Sequence, residues 1–514
     1  MIRLKTAAFL FTLLLSATTL QSQDLMPVDF EKWTQQGMEK WEIPGMAIAV
    51  VYQGETIYTN GFGVRKLGEQ DLVDEHTQFG IASVSKHMTA TSLGLLVDEG
   101  VLNWHDPVRE YLPWFELSDP WAARHVTLHD LLTHQVGVGR ILGNRLQYLT
   151  NRSRYELMYR MRYHEFEEPF RSSHVYSNAM YTVAGEVAGA VSGRDWDNLM
   201  YDRLFRRLGM DRTNTSILEL DESNAAWPHQ YIEGEVVPIK RRNWDVASAA
   251  GGINSTAADM AKWMSMQLNA GIYNGIQIIS GQTLRDIQTP KVTLPISAAE
   301  APQQSYGYGY RITDYRGYRV LAHGGATDGM NTNYVLIPQL ELGIIVMTNT
   351  FNNFMNAIPY HIIDHILGVE GPDWMEAYHD SYVRQFESAT RLREEFEATR
   401  IPDTRPSHDL PFYTGRFHSD LYDGLTIREQ NGKLLLTLFD DPELTAVLEH
   451  WHHNMFRVLW ENRALREEFI HFRISDEGRI DTAEIRFSLN PLMLQVGAYP
   501  ASSYRNVPFQ RVSY

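Results

Sequence analysis

The sequence predicts an α+β fold: an antiparallel sheet flanked by helices, with a helical insertion, followed by a small C-terminal β-barrel. Three observations support this. Strand-like runs lie at both ends of a helical middle, a charged segment with prolines follows, and short strands separated by turns fill the C-terminal part. Because both sets of outer strands need a common sheet, we expect the first hairpin to join the late strands.

The first residues are typical of a secretory signal. Arg3 and Lys5 precede the apolar run 7–15, which is too short to span a bilayer, and small residues allow cleavage after Ser22. We therefore expect a periplasmic or secreted protein without stable membrane insertion. A retained membrane anchor is the alternative.

Composition limits the possible partners. A chain of 514 residues with 44% hydrophobic residues is long enough for two or more domains with their own cores. The formal net charge of −17 argues against nucleic acid and an anionic membrane surface as partners. The absence of cysteine excludes disulfides, thiolate metal sites and cysteine nucleophiles.

The first part of the chain contains recognisable elements. Residues 45–58 predict a hairpin with Gln53-Gly54 at its turn, and the apolar spacing after Ser83 predicts a helix that stops near Gly100. Residues 106–210 are mostly helical in pattern, and 254–269 predict a helix capped by Ser255 or Thr256. The late strand predictions are 318–322, 333–337 and 343–348.

The remaining part divides into a connection and a β domain. Dense charge over 372–400 predicts an exposed connecting helix, which prolines then end. Asn431-Gly432 marks a hairpin, and the pattern around it indicates a small barrel or sandwich. The strand predictions are 425–428, 433–439, 455–460, 468–474 and 480–487. The predicted divisions are a signal at 1–22, a mixed sheet-and-helix domain at 23–371, a linker at 372–405 and the β domain at 406–514.

Ser83 and Lys86 form the first candidate catalytic pair. A serine hydroxyl is a poor nucleophile unless a base lies beside it. Positions three apart share one face of a helix, so Lys86 can lie against the Ser83 hydroxyl. Ser85 is an alternative nucleophile, but on a helix it points away from the lysine.

Tyr176 and Asn178 form a second candidate group. A nearby ammonium favours the phenolate form of a tyrosine, which could take a proton from serine or give one to a leaving group. Asn178 could hold Lys86 and bind a substrate carbonyl. The alternative is a simple turn that enters the helix beginning near Ala179.

The third group is His323-Gly324-Gly325-Ala326, at the end of a predicted strand. The glycines allow another backbone to approach, so a peptide-like substrate could lie along this strand. His323 could orient a substrate carboxylate or the phenol, and the N–H groups of Ser83 and Ala326 are candidate oxyanion donors. The alternative is a glycine turn with a surface histidine.

Ser83-x-x-Lys86, Tyr176-x-Asn178 and His323-x-Gly325 together resemble the three motifs of the serine β-lactamase and penicillin-binding-protein superfamily. The branch they resemble is the class C β-lactamase-related peptidases and esterases. Further similar segments are 106–113, 131–134, 206–210 and 250–260. The resemblance covers about residues 28–370. It implies a Ser83 nucleophile, a covalent acyl-enzyme, and Lys86 and Tyr176 sharing the base and acid work, with no metal or cofactor.

The chain departs from the family pattern in two places, of which the first affects the substrate prediction and the second the local loop shape but not the chemistry. His323 stands where such β-lactamases carry lysine, and a histidine is mostly neutral at pH 7. This weakens the case for carboxylate-bearing substrates and favours the peptidase and esterase relatives. Gln135-Val136-Gly137 replaces the usual Thr-Ser-Gly. The C-terminal barrel resembles a lipocalin-like extension, whose role remains open between capping the cleft, assembly and ligand binding.

The resulting hypothesis is a serine acyl hydrolase for a small amide or ester, in particular a peptide, including peptides with D-residues. The alternatives are a β-lactamase or DD-carboxypeptidase, and a non-catalytic peptidoglycan- or peptide-binding protein. Two histidine groups are weak metal candidates: His361 with His365, and His450, His452 and His453 around Trp451. Neither supplies a convincing ligand set, so no metal site is predicted.

Overall fold

The computed structural model describes residues 25–139, 146–148, 152–295, 303–465, 467–488 and 504–512. The predicted signal, residues 1–22, lies outside them. The first domain is built on an eight-stranded antiparallel sheet in the order β2-β1-β14-β13-β12-β11-β10-β9. Its strands are β1 (Gly45–Tyr52), β2 (Glu55–Gly63), β9 (Val292–Thr293), β10 (Ser305–Tyr306), β11 (Arg311–Tyr315), β12 (Tyr318–Thr327), β13 (Met330–Ile337) and β14 (Leu342–Thr348).

Strand β1 explains why the two ends of the domain meet. Its residues alternate between two apolar clusters, with Ala47, Ala49 and Val51 facing one side and Met46, Ile48 and Val50 the other. A strand that is buried on both faces needs neighbours on both edges. It pairs with β2 along the hairpin and with β14 in the register Met46↔Thr348. The predicted union of the first hairpin with the late strands is confirmed.

Helices cover both faces of this sheet and form the insertion. One face of the sheet packs against the helices Phe30–Lys40 and Phe354–Ile366, and the remaining helices pack on the opposite face. The helices are α1 (Phe30–Lys40), α2 (Ser85–Asp98), α3 (Val108–Tyr111), α4 (Pro120–His125), α5 (Leu128–Leu132), α6 (Arg154–Arg160), α7 (Asn178–Ser192), α8 (Trp196–Met200), α9 (Arg206–Leu208), α10 (Ser248–Gly251), α11 (Ala257–Leu268), α12 (Gly281–Ile287) and α13 (Phe354–Ile366).

Short strands join parts of the insertion. They are β3 (Phe79–Gly80) with β6 (Asn254–Ser255), β4 (His229–Ile232) with β5 (Glu235–Pro238), and β7 (Ile272–Tyr273) with β8 (Ile276–Gln277). The helix predicted from residue 254 therefore starts later, at Ala257, because Asn254 and Ser255 pair with Gly80 and Phe79 instead. Thr256 is its cap, since the Thr256 hydroxyl accepts the Asp259 N–H.

Strand β12 is longer than the sequence suggested. We predicted it to end at residue 322, yet the backbone stays extended through Thr327, and the turn to β13 is at Asp328 and Gly329. The whole third motif pairs with β13, from His323↔Tyr334 to Ala326↔Asn331. Glycine is unfavourable inside a strand. Here the pairing of Gly324 and Gly325 with β13 outweighs that unfavourable propensity.

The second domain is a closed antiparallel barrel that follows the connecting helix α14 (Trp374–Glu397). Its strands are β15 (Gly415–Ser419), β16 (Asp423–Gln430), β17 (Lys433–Leu438), β18 (Thr445–His452), β19 (Met455–Trp460), β20 (Glu468–Ile474), β21 (Ile480–Ser488) and β22 (Tyr504–Arg511). Because these strands close into a ring, the structure confirms the predicted barrel and excludes the alternative of a sandwich. Strands β15, β18 and β22 were not predicted from the sequence.

Among the described residues, none of the helices combines the length and the apolar character needed to span a bilayer.

Aromatic side chains fill much of the barrel interior. The Tyr413 ring lies 5.2 Å from the Phe456 ring and 5.1 Å from the Phe472 ring, and Tyr422 lies 5.4 Å from Phe487. All five residues are buried. The barrel is therefore a packed core at these positions.

Charged contacts dock the barrel onto the insertion. The carboxylate of Asp423, at the start of β16, accepts hydrogen bonds from Arg152 and from Arg160 of α6, each at 2.8 Å. On another side of the barrel, Lys240 pairs with Glu443, and Arg463 contacts Glu233 at 2.8 Å. Asp423 is the most enclosed of these acids, with 19% of its side chain exposed.

Replacing Asp423 with Asn should loosen this docking. The loss of charge leaves two guanidinium groups facing each other, and we expect a cost of about 1–3 kcal/mol, between that of surface and buried ion pairs. Differential scanning calorimetry should show a lower first transition. Glu477→Gln, in a pair with 76% and 73% exposed side chains, is the matched control and should leave the curve unchanged. Equal curves for both variants would contradict the docking role.

Candidate active site

Ser83 lies in a 3-10 turn, Ala82–Val84, immediately before α2. Ala82 has a φ of +49°, a conformation that costs an alanine about 1–2 kcal/mol. Neighbouring contacts hold it: Ile81 N donates to Ile253 O at 2.9 Å, and the Ser85 hydroxyl donates to Ala82 O at 2.7 Å. The Ser85 side chain is thus buried and its hydroxyl is hydrogen-bonded within the turn, whereas Ser83 is partly exposed.

Lys86 is fully buried one turn after Ser83. Its Nζ lies 3.2 Å from Ser83 Oγ and donates to Asn178 Oδ1 at 2.8 Å and to Ala250 O at 2.7 Å. Both of these acceptors are uncharged. Burial consequently lowers the pKa of Lys86 well below its usual value. A neutral amine beside a serine hydroxyl can accept a proton.

Tyr176 completes the convergence on Ser83. Tyr176 Oη lies 2.8 Å from Ser83 Oγ, and Lys86 Nζ lies 4.8 Å from the centre of the Tyr176 ring. Two residues later, Asn178 opens α7 and donates through Nδ2 to Gln147 Oε1 at 2.9 Å. The structure therefore brings the first two predicted groups together around one hydroxyl.

His323 is buried beside this group and is not the surface histidine of the alternative prediction. Its Nδ1 lies 2.7 Å from Gly324 O, which can only accept, so Nδ1 carries the proton. Its Nε2 lies 3.1 Å from Tyr306 Oη and accepts from that hydroxyl. Burial, with smaller effects of Lys86 and Arg311, lowers the pKa of His323 well below its usual value. The ring is neutral, and both of its nitrogens have protein partners.

Gly325 lets β12 pass directly beside the turn that carries Ser83. A Cβ at this position would lie 2.2 Å from Ile81 O and 3.2 Å from the Ala82 Cβ. The next residue, Ala326, is partly exposed. This close approach places the backbone of the third motif at the nucleophile turn, where the predicted oxyanion donors of Ser83 and Ala326 would have to meet.

Sequence reasoning missed four partners of these side chains: Ala250, Gln147, Tyr306 and His134. Ala250 contributes a backbone carbonyl, for which side-chain patterns carry no signal. Tyr306 belongs to the run Tyr306-Gly307-Tyr308-Gly309-Tyr310, whose pattern does not distinguish one tyrosine from the others. His134 lies in a noted segment, Leu131–His134, without an assigned role. Their contacts depend on tertiary folding.

Histidines of both groups considered for metal binding make stacking or hydrogen-bond contacts with other residues. His361 stacks on Trp33, with ring centres 4.2 Å apart. His450 Nε2 lies 3.0 Å from His453 O, and His452 Nδ1 accepts the Ile401 N–H at 3.3 Å. Within the described residues, three potential ligands converge only at Glu376, His379 and Asp380, on the exposed side of α14, where Lys40 already pairs with Glu376.

The sheet and its flanking helices agree with the family comparison, which identifies the chain as a serine hydrolase. A family model described as Beta-lactamase matches residues 30–365, more than half of the chain. The chain belongs to the Beta-lactamase family. A second model, described as "Domain of unknown function (DUF3471)", matches residues 399–498, which include most of the barrel.

Several known proteins are similar to this chain. An unguisins hydrolase of Aspergillus campestris is 28% identical over 80% of this chain and 79% of its own. Penicillin-binding protein 4 of Amycolatopsis lactamdurans is 24% identical, covering 68% and 93%, and a β-lactamase of Escherichia coli K12 is 26% identical, covering 61% and 85%. The solved octameric penicillin-binding protein homologue from Pyrococcus abyssi has a TM-score of 0.57 at 20% identity over 89% of this chain and 97% of its own, and shows the shared fold.

Gly325→Ala should destabilise the protein. The added methyl group would meet Ile81 O at 2.2 Å, so strand and turn must separate, at a cost of about 1–3 kcal/mol or more. Thermal unfolding should show a lower midpoint. Gly324→Ala is the matched control, since its Cβ would find only Thr332 O, at 3.9 Å. Equal midpoints for the two variants would contradict the close approach.

Proposed function

We propose that this protein is a serine acyl hydrolase that cleaves a small amide or ester through a covalent acyl-enzyme on Ser83. One observation carries the proposal: Ser83 Oγ has Lys86 Nζ at 3.2 Å and Tyr176 Oη at 2.8 Å. A base and a proton donor on the same hydroxyl are what nucleophilic catalysis by serine requires.

The contacts of Lys86 favour it as the first proton acceptor. In its neutral form the amine has two hydrogens, and both are directed at acceptors, Asn178 Oδ1 and Ala250 O. The lone pair is then left for the Ser83 hydroxyl. Lys86 takes the serine proton as Oγ attacks the substrate carbonyl, and the Tyr176 hydroxyl gives its proton to the leaving group.

Hydrolysis of the acyl-enzyme reverses these transfers. The Tyr176 phenolate takes a proton from water, and the resulting hydroxide attacks the acyl carbon. Ser83 Oγ leaves and recovers its proton from the Lys86 ammonium, so both groups return to their starting forms. In each step the N–H groups of Ser83 and Ala326 are the proposed donors to the oxyanion.

The substrate proposed is an amide or ester that does not depend on a carboxylate anchor. His323 is neutral, with both nitrogens engaged, so the third motif offers no fixed cation. A similar protein is named as an unguisins hydrolase, and we propose a small peptide, including peptides with D-residues, as the substrate class. The β-lactamase and penicillin-binding relatives make β-lactam or D-Ala-D-Ala cleavage the alternative.

We also propose secretion or export to the periplasm, from the signal pattern at residues 1–22, which lies outside the described residues. The acidic net charge of −17 favours a small-molecule or peptide partner over nucleic acid.

Ser83→Ala should abolish turnover and labelling by a fluorophosphonate probe while the thermal midpoint stays near that of the parent. The mass of the intact parent should rise by the acyl group after mixing with a slow ester. Ser85→Ala is the control and should still be labelled. Full-strength labelling of the Ser83 variant would overturn the proposal, and the absence of any acyl adduct from ester, peptide and β-lactam reagents would support a non-catalytic binding protein instead.

A substrate panel separates the enzyme alternatives. Short esters, L- and D-peptide amides and nitrocefin should be compared on the purified mature protein, with Ser83→Ala as the blank. We expect amides and esters to be turned over with higher kcat/KM than nitrocefin. The opposite order would favour the β-lactamase reading.

The pH dependence should follow Lys86. Because burial lowers its pKa, the amine is neutral at and above the depressed pKa, and kcat/KM should fall as the pH decreases through it. Lys86→Arg keeps a cation that does not lose its proton, and we expect a loss of about 100-fold or more at every pH. An arginine variant that keeps the parent's activity would exclude Lys86 as the base.

A further inference from the structure

His134 is attached by its backbone to the segment that carries Tyr176. It follows α5 in a left-handed conformation, with a φ of +60°, and is completely buried. Its carbonyl oxygen accepts the N–H of Val175 at 2.7 Å. The residue before Tyr176 is thus held by the backbone of His134.

The side chain of His134 holds the residue after Tyr176. Its Nδ1 accepts the N–H of Ser177 at 3.1 Å, so in the neutral ring the proton is on Nε2. Burial, followed by the nearby His174 and Lys86, lowers the pKa of His134 well below its usual value. The ring therefore remains an acceptor for Ser177 at neutral pH.

The imidazole also packs on the catalytic phenol. Its centre lies 4.4 Å from that of Tyr176, 5.1 Å from that of Tyr181 and 5.2 Å from that of Tyr306. Two hydrogen bonds and one ring contact from a single residue therefore enclose Tyr176. Ser177 is also the N-cap of α7, which opens with Asn178, and its side chain makes no capping bond.

We propose that His134 is a positioning residue that fixes Tyr176 Oη on Ser83 Oγ. The inference rests on the proposed function and assigns the acid–base geometry of that site to a residue that contacts none of the reacting atoms. Tyr176 Oη lies at hydrogen-bond distance from Ser83 Oγ, 2.8 Å. A displacement of about 1 Å at such a position can cost on the order of 100-fold in rate.

The chemistry of the site indicates which substitution should preserve this role. What His134 supplies is an acceptor two bonds from its Cβ and a flat group tolerated at positive φ. Asn has an amide oxygen at the same point of the side chain and adopts the left-handed conformation more readily than other residues. Leu has similar bulk and no acceptor. His134→Asn and His134→Leu are therefore a matched pair.

The test is a double-mutant cycle with Tyr176→Phe on two substrates that share an acyl group. One is a p-nitrophenyl ester, whose leaving group needs no proton, and the other is an alkylamide, whose leaving group does. Both substrates pass through the same acyl-enzyme, so kcat/KM is compared, because it reports the acylation step alone. We expect His134→Leu to lower kcat/KM on the amide by about 10- to 100-fold and on the ester by much less. His134→Asn should recover most of the amide rate.

Combined with Tyr176→Phe, the leucine substitution should add no further loss, because a residue that acts through Tyr176 has nothing left to position. Equal losses on both substrates, additive losses in the cycle, or an asparagine variant as slow as the leucine variant would each overturn the inference. If His134→Leu fails to fold by circular dichroism, the asparagine variant in the same cycle decides: a leaving-group profile like that of the parent supports the inference, and a uniform loss overturns it. An active Ser83→Ala protein would signal failure of the proposed function instead.

Discussion

The burial of Lys86 is the constraint on which the site depends. An ammonium group in a closed interior is costly unless a carboxylate accompanies it. Here the hydrogen-bond partners of Lys86 Nζ in the described part of the chain are the Ser83 hydroxyl, the amide oxygen of Asn178 and the carbonyl of Ala250, and none of them is a carboxylate. This burial lowers the pKa of Lys86 and so favours the neutral amine that the proposed mechanism uses. The arrangement requires α2, α7 and the segment before Ile253 to be in place together.

The main sheet also shapes the site, because its strand β12 passes beside the turn that carries Ser83. Strand β12 can approach the nucleophile turn only because position 325 has no side chain, and the turn itself includes an alanine in a strained conformation. Ile253, Ser85 and the passing strand together hold that conformation. Strain that neighbouring elements impose is common where a backbone N–H group must be aimed at a reacting atom.

Much of the fold could be predicted from local patterns. The hairpin turn at Gln53-Gly54, strand β19 and strand β20 follow from turn residues and alternation that need no knowledge of the rest of the chain. The strand character of Gly324 and Gly325 could not be predicted, because it comes from pairing with β13. Ser83, Lys86 and Tyr176 were found from their spacing and family resemblance. Ala250 contributes a backbone carbonyl, and His134 accepts the backbone N–H groups of Val175 and Ser177, so the partners in these contacts are backbone groups that residue type does not reveal.

The pairing of β1 with β14 has a consequence for biosynthesis. Val51 faces Gly343 in the finished sheet, so one edge of the first hairpin has no native neighbour until β14 has been made. At about 5–20 residues per second, that interval lasts roughly 15–60 seconds on the ribosome. An apolar strand with an open edge is prone to association until its neighbour arrives, so the first hairpin must be kept from pairing with other chains throughout that interval.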